Sequence, residues 1–282
     1  MQHTTTKFNY RNKITLTTLV LSVMALQACD KFEYSPYEVR LNDNEKELNL
    51  KNIERIKAQN IPADATITFA LISDTQGFYK ETEATVNHLN KRNDVQFVLH
   101  NGDITDFGVL KEYRLINDRL SKLKFPLVTV IGNHDATNNG KQVYREMYGP
   151  YDFSFVAGHA KFIFLNTNNW EFDGAAPNLA WLETELQDRA NYKQVFVLSH
   201  IPPHDDSFGA DKLMRYRELM DKYNVSMSIH GHGHNFETYQ YKEGGTKYMN
   251  VGDTQDKEYI VMRANGNSVT FERVSTADPD FR

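Results

Sequence analysis

Short, almost wholly apolar runs recur along this chain, and each ends in a polar cluster. Thr66–Ile72, Val95–Leu99, Pro126–Ile131, Gln194–Leu198 and Val225–Ile229 read as buried strands, too short and too β-branched for helices. Between them, apolar residues at helical spacing predict helices over 45–59, 79–91, 110–123, 140–148, 178–189 and 212–223, with Pro177 near the first turn of the fifth. Phe153–Val156 and Lys161–Leu165 read as neighbouring strands joined by a glycine-containing turn. From about Tyr239 the residues alternate apolar and polar, which predicts an antiparallel addition with strands at 248–251, 259–262 and 268–272. Asp30–Asn44 is polar and aromatic with Pro36, and reads as a tether plus a short edge strand. This strand-helix alternation is that of a layered α/β domain, with no repeat or linker to mark a second one.

The N-terminus departs from that pattern. Lys7, Arg11 and Lys13 precede an apolar segment, Ile14–Ala25, that is too short to span a bilayer comfortably and ends in Leu26-Gln27-Ala28-Cys29. This resembles a bacterial lipoprotein signal, so residues 1–28 are expected to be a signal peptide and 29–44 a lipidated cysteine with its tether; an ordinary secretory leader or an anchor helix is the alternative. The resemblance implies an exported protein, held to the cell envelope through an acyl chain on Cys29. Cys29 is the single cysteine, so no intramolecular disulfide can form and the exported chain is stabilised by packing. Removing the leader's three basic residues takes the formal net charge from −5 to −8. A mildly acidic surface argues against a nucleic-acid polymer as partner, while a small phosphorylated substrate stays compatible if cations dominate the local field. No obligate protein partner is evident.

The polar blocks at the strand ends are Asp74 with Gln76, Asp103 with Asp106, Asn133 with His134, His200 alone, and His232 with His234. In sheets built from strand-helix repeats, ligands bind beyond the carboxyl ends of the strands, so these blocks are expected on one rim. Their carboxylates, amide oxygens and imidazoles, without a thiolate, are the donors a two-metal hydrolase needs. In order and spacing, residues 66–234 resemble the calcineurin-like metallophosphoesterases, whose blocks run D-x-H, G-D-x-x-D, G-N-H-D/E, a lone His and G-H-x-H. The resemblance implies one domain over 45–282, a four-layer α/β/β/α sandwich of two mixed sheets, and metal-dependent hydrolysis of phosphoric esters by a metal-bridging hydroxide. Phosphodiesters or nucleotide diphosphates are the expected substrates, with phosphomonoesters as the alternative. A metal-stabilised binding lipoprotein without turnover is the rival of another class.

Carried over residue by residue, the resemblance implies a first metal on Asp74, Gln76, Asp103 and His234 and a second on Asp103, Asn133, His200 and His232, about 3.5–4 Å apart across the shared carboxylate. His134 becomes the catalytic histidine, stabilising the transition state or protonating the leaving oxygen, and Asp106 the carboxylate that orients it. Gln76 stands where most of the family has histidine; its amide oxygen leaves the first metal one nitrogen and three oxygen residues, which favours Mn²⁺ or Mg²⁺ while Fe or Zn²⁺ remain possible. His230, His100 and Asp135 have no place in the pattern and read as packing or loop support. The loop 201–211 reads as a substrate wall in which His204 could touch substrate, and Trp170 as a lid or a stacking surface.

Overall fold

Each buried strand presents alternate side chains to opposite faces, and here both faces are covered. The computed structural model describes residues 35, 37–188, 192–266 and 268–277; the leader, Cys29 and the tether through residue 34 lie outside the described residues. Val39–Arg282 forms one compact unit, distinct from the unit that ends at Glu38.

One sheet has five strands in the order β11-β10-β1-β2-β3, with β1 (Ile67–Ile72), β2 (Phe97–His100) and β3 (Leu127–Thr129) parallel and β10 (Glu258–Asn265) and β11 (Ser268–Ser275) antiparallel. The other has six, in the order β4-β5-β6-β7-β9-β8. There β5 (Ala160–Phe164), β6 (Gln194–Leu198), β7 (Met227–His230) and β9 (Tyr248–Val251) are parallel, and β4 (Phe153–Ala157) and β8 (Phe236–Tyr239) are antiparallel edges.

Period-two alternation assigns the layers. On β1, Ile67, Phe69 and Leu71 join Phe97, Leu99, Phe162, Phe196 and Ile229 in a core between the sheets. Ala70 and Ile72 point the other way, onto Val86 and Leu89 of α2 (Tyr79–Leu89), Ile116 and Leu120 of α3 (Leu110–Leu120) and Val143 and Met147 of α4 (Gly140–Met147). Behind the second sheet, Ile163, Val195 and Val197 meet Leu182 and Leu186 of α5 (Leu179–Gln187) and Tyr216 and Leu219 of α6 (Ala210–Lys222). The result is the α/β/β/α sandwich. The remaining helix, α1 (Leu48–Lys57), lies at the open edge, where Asn49 exchanges two 2.9 Å hydrogen bonds with the backbone of Thr129 and so caps β3.

Two expectations are corrected. The described residues of 35–44 contain no strand; the chain enters by a 3-10 turn, Asp43–Glu45, with Val39 and Leu41 already on the outer core. The tail is not a uniform antiparallel addition: β10 and β11 are, but β9 runs parallel to β7, in keeping with a strand buried along its whole length. β8 escaped notice because it is a half-exposed edge strand directly after the His232–His234 block.

The inter-sheet core is aromatic, with Phe162 edge-on to Phe69 at 5.2 Å and stacked on Phe196 at 5.3 Å. Phe162→Ala is expected to cost about 3–5 kcal/mol by leaving a cavity that neither sheet can collapse into, read as a lower urea midpoint at unchanged slope.

Candidate metal centre

The carboxyl ends of β1, β2, β3, β6 and β7 meet at one rim where the sheets converge, and backbone hydrogen bonds lock the loops to one another. Asp74 N donates to the Gly102 carbonyl (3.0 Å) and Thr75 N to that of Asp103 (2.9 Å), joining the first two loops. Asn101 crosses between sheets, its Nδ2 donating to the carbonyls of Ser199 (3.2 Å) and Ile229 (3.1 Å). Two block glycines are required by this proximity: a Cβ on Gly132 would lie 2.1 Å from Asp103 Oδ1, and one on Gly231 would lie 2.2 Å from Ser73 Oγ.

The backbone itself turns sharply at four of the candidate ligands. Asp74 (φ 51°), Asp103 (57°), His232 (66°) and His234 (56°) all adopt left-handed conformations. Asp and His tolerate that region better than most residues, yet each instance costs on the order of 1–3 kcal/mol and persists only where the surroundings impose it.

Around the buried Asp103 carboxylate, Oδ1 accepts from His134 N (3.0 Å) and Oδ2 lies 3.1 Å from His200 Nε2. His200 Nδ1 donates to the Asn101 carbonyl (2.8 Å), which leaves its Nε2 as the atom turned inward. Asn133 Oδ1 is 3.0 Å from both His200 Nε2 and His232 Nδ1. Ligand atoms of Asp103, His200 and His232 all fall within 4.8 Å of one another. Lone pairs of a carboxylate, an amide and two imidazoles therefore face a common point, and positive charge there reconciles them.

The electrostatics agree. Burial opposes protonation of His200, but the Asp103 carboxylate overcomes it and holds the imidazole up at about 10. A divalent cation would supply that charge in place of the proton.

The second ligand group is looser. Asp74 Oδ2 accepts from Ser73 Oγ and from His232 N (3.2 Å), whereas its buried Oδ1 accepts no hydrogen bond among the described residues and lies 3.5 Å from His234 Nε2. An orphaned buried carboxylate oxygen is expensive unless a cation meets it. Gln76 lies beside Asp103: with its amide nitrogen inward it donates to the Asp103 carbonyl (2.9 Å) and Oδ2 (3.3 Å), and with its oxygen inward it becomes a hard ligand at the same place. The residues present thus fit divalent cations.

The rim gathers all seven residues named as ligands, with His134 beside them. The pairing of His134 with Asp106 differs from the expectation. His134 Nδ1 donates to the backbone carbonyl of Asp106 (2.9 Å), not to its carboxylate, which lies over Gly77. The main chain of Asp106, not its carboxylate, thus meets Nδ1 of the ring.

Two histidines outside the pattern, His100 and His230, are braces. His100 accepts from Gly102 N (3.1 Å) and contacts Thr75 Oγ1 (3.1 Å), and burial pushes it down to about 3, so it is neutral. His230 bridges Ser199 and Ser228 at 2.8 Å each and is likewise held neutral by burial. His204 is exposed and pairs with the Tyr239 hydroxyl (2.9 Å), and Trp170 is 65% exposed. Two carboxylates that the blocks do not include, Asp205 and Asp253, also reach the rim histidines. Asp253 follows β9, so the strand-end rule would have found it had that strand been read as parallel.

The calcineurin-like phosphoesterase profile matches residues 67–236, well over half of the sequence, and the chain belongs to that family. It is 29% identical over 185 residues to a glycerophosphodiester phosphodiesterase of Enterobacter lignolyticus, covering 56% of this chain and 62% of that one. It is 23% identical over 167 residues to a probable cyclic nucleotide phosphodiesterase of Xenorhabdus bovienii, covering 53% and 65%. The match thus spans less than two thirds of either relative. Among solved structures, a purple acid phosphatase from yellow lupin superposes with TM-score 0.64 at 16% identity, over 77% of this chain and 53% of that one. A dimetal phosphatase from Danio rerio gives 0.59 at 15% identity, over 75% and 97%. At these identities the superpositions establish the fold.

Asp135 ties the centre together. Its Oδ1 accepts from Ile104 N and Thr105 N (2.9 Å each) and its Oδ2 from Gly132 N (2.9 Å), while burial and the neighbouring Asp103 push it up to about 7. Asp135→Asn forces an amide N–H₂ against one of these donors and is expected to lower stability by about 1–3 kcal/mol, measured by urea unfolding of the metal-free protein.

Proposed function

We propose that this protein is an exported, lipid-anchored, metal-dependent phosphodiesterase acting on a small phosphodiester. The observation that carries the reading is the convergence of Asp74, Gln76, Asp103, Asn133, His200, His232 and His234 on one rim, with His134 N on the shared Asp103. The glycerophosphodiester and cyclic nucleotide phosphodiesterases among the relatives support a diester over a monoester. The leader and Cys29 support export and anchoring.

Asp74, Gln76, Asp103 and His234 would hold one cation and Asp103, Asn133, His200 and His232 the other, with manganese favoured by the amide oxygen of Gln76. Bound there, divalent cations supply Lewis acidity at the phosphoryl oxygens and a lowered pKa for water. The protein's own share is orientation and proton handling. Asp103 fixes the backbone of His134, and the Asp106 carbonyl holds its ring in the Nδ1–H form. His134 Nε2 is then the atom that can carry a proton to a leaving oxygen or stabilise charge on it. No serine or cysteine is needed as a covalent nucleophile.

The purified soluble chain from about residue 30 is expected to bind two metals and to hydrolyse bis-p-nitrophenyl phosphate faster than p-nitrophenyl phosphate under Mn²⁺. A preference for the monoester, or metal uptake without turnover on a panel of glycerophosphodiesters and cyclic nucleotides, would defeat the reading. Full-length protein made with its leader is expected to partition into detergent, and Cys29→Ser to abolish this.

A second prediction separates ring orientation by the carbonyl from orientation by the carboxylate. His134→Ala is expected to keep both metals and to lose about 10²–10⁴-fold in kcat. Asp106→Asn retains the carbonyl and is expected to stay within about threefold of wild type; a loss like that of His134→Ala would show that the carboxylate acts on the ring after all.

A further inference from the structure

We infer that Asp205 and Asp253 are a pair of positioning residues that aim His232 and His234 at the metal centre, one carboxylate for each histidine. The inference rests on the metal-binding reading above and names residues outside its ligand set.

Each of these two histidines turns one nitrogen inward and the other outward. His232 presents Nδ1 to Asn133 Oδ1 at 3.0 Å, and its Nε2 faces Asp205 Oδ2 at 3.5 Å. His234 presents Nε2 to Asp74 Oδ1 at 3.5 Å, and its Nδ1 faces Asp253 Oδ2 at 3.8 Å. The inward nitrogens differ, as they must for two imidazoles that leave the same strand end and serve different ions. In each case the outward nitrogen meets a carboxylate.

The two carboxylates are built alike. Asp205 Oδ1 is held by Ser207, through its N–H (2.8 Å) and its hydroxyl, which leaves Oδ2 directed at the ring. Asp253 Oδ1 is held by Asp256 N (3.2 Å), which again leaves Oδ2 directed at the ring. A local turn thus fixes one oxygen of each. Asp253 is nearly buried, and a buried carboxylate whose second oxygen had no cationic or N–H neighbour would be costly.

The topology explains the symmetry. His232 and His234 leave the end of β7, whose neighbours in the sheet are β6 on one side and β9 on the other. Asp205 comes from the loop after β6 and Asp253 from the loop after β9, so the histidine loop is flanked by one carboxylate from each side. The third imidazole of the centre, His200, uses the Asn101 carbonyl for the same purpose. At 3.5 and 3.8 Å the carboxylates act on the outward N–H by charge, which favours the tautomer whose inward nitrogen carries the lone pair and raises the donor strength of the ring.

The test is metal binding, read without turnover. Wild type, Asp205→Asn, Asp253→Asn and the control Asp206→Asn, whose side chain is exposed two residues beyond His204, are stripped by chelation, titrated with Mn²⁺ in a calorimeter, and examined as Co²⁺ forms by visible absorption. Asp205→Asn and Asp253→Asn are each expected to weaken one of two binding events by about 10–100-fold and to shift the Co²⁺ spectrum, with the control unchanged. Asp253→Glu, which keeps the carboxylate, is expected to recover much of the lost affinity; it guards against a variant that merely folds poorly. Wild-type affinities and spectra in both Asn variants would overturn the inference. Wild-type protein that takes up two ions and hydrolyses no phosphodiester would sink the functional reading and leave this one standing.

Discussion

A carboxylate buried where two sheets meet is the constraint to which the rest of this structure answers. Asp103 sits at the end of β2 with almost no exposure, and two further carboxylates, Asp74 and Asp135, are buried in adjoining loops. Three such groups within one polar cluster repel one another and forgo hydration, costing several kcal/mol each unless something compensates. The compensation is unequal. Asp135 is surrounded by donated hydrogen bonds on both oxygens, so it functions as a brace between the second and third loops. Asp103 accepts one backbone N–H and faces His200, and Asp74 keeps one oxygen without any donor. The capacity left over is on the two carboxylates whose neighbours are imidazoles, and that is where positive charge fits.

The backbone bears part of this arrangement. Left-handed conformations at Asp74, Asp103, His232 and His234 redirect the chain just beyond the strand ends, and these four residues from three strands meet at one rim. Such turns are unfavourable singly and are held collectively: Asn101 joins the two sheets, Gly132 and Gly231 allow loop contacts too close for any side chain, and His100 and His230 fill the layer beneath as neutral hydrogen-bonding wedges. Rigidity at the rim therefore derives from the sandwich, whose phenylalanine-rich interior fixes the distance between sheets.

Most of this was legible in the sequence because two periodicities are strong. Runs such as Thr66–Ile72 and Gln194–Leu198 are almost wholly apolar, as a strand covered on both faces requires, and the polar block after each run marks the strand's carboxyl end. What was not legible has physical reasons. Phe236–Tyr239 is a half-exposed edge strand, so its pattern is diluted by Glu237 and Thr238. Tyr248–Val251 is too short to reveal its direction, and reading it as antiparallel concealed Asp253. Asp106 illustrates a deeper limit: the residue contacts His134, yet through its main chain, and residue identity carries no information about which of its oxygens is used.

Stability and site are joined in this architecture. The single cysteine, Cys29, allows no intramolecular disulfide, and the inter-sheet core must hold together a rim that concentrates buried negative charge and strained backbone. A cation that binds the folded rim and not the unfolded chain would offset that cost by mass action, by about 2.7 kcal/mol at a hundredfold excess over its Kd. The asymmetry between the two ligand groups then has a consequence. The group around Asp103, Asn133, His200 and His232 is compact and mostly buried, whereas His234 is half exposed and its Asp74 partner stands off at 3.5 Å. An ion at the compact group would tie the ends of β2, β3, β6 and β7 across both sheets and so reinforce the sandwich itself. An ion at the looser group would chiefly close the β1 loop onto the end of β7, whose facing atoms stand 3.5 Å apart.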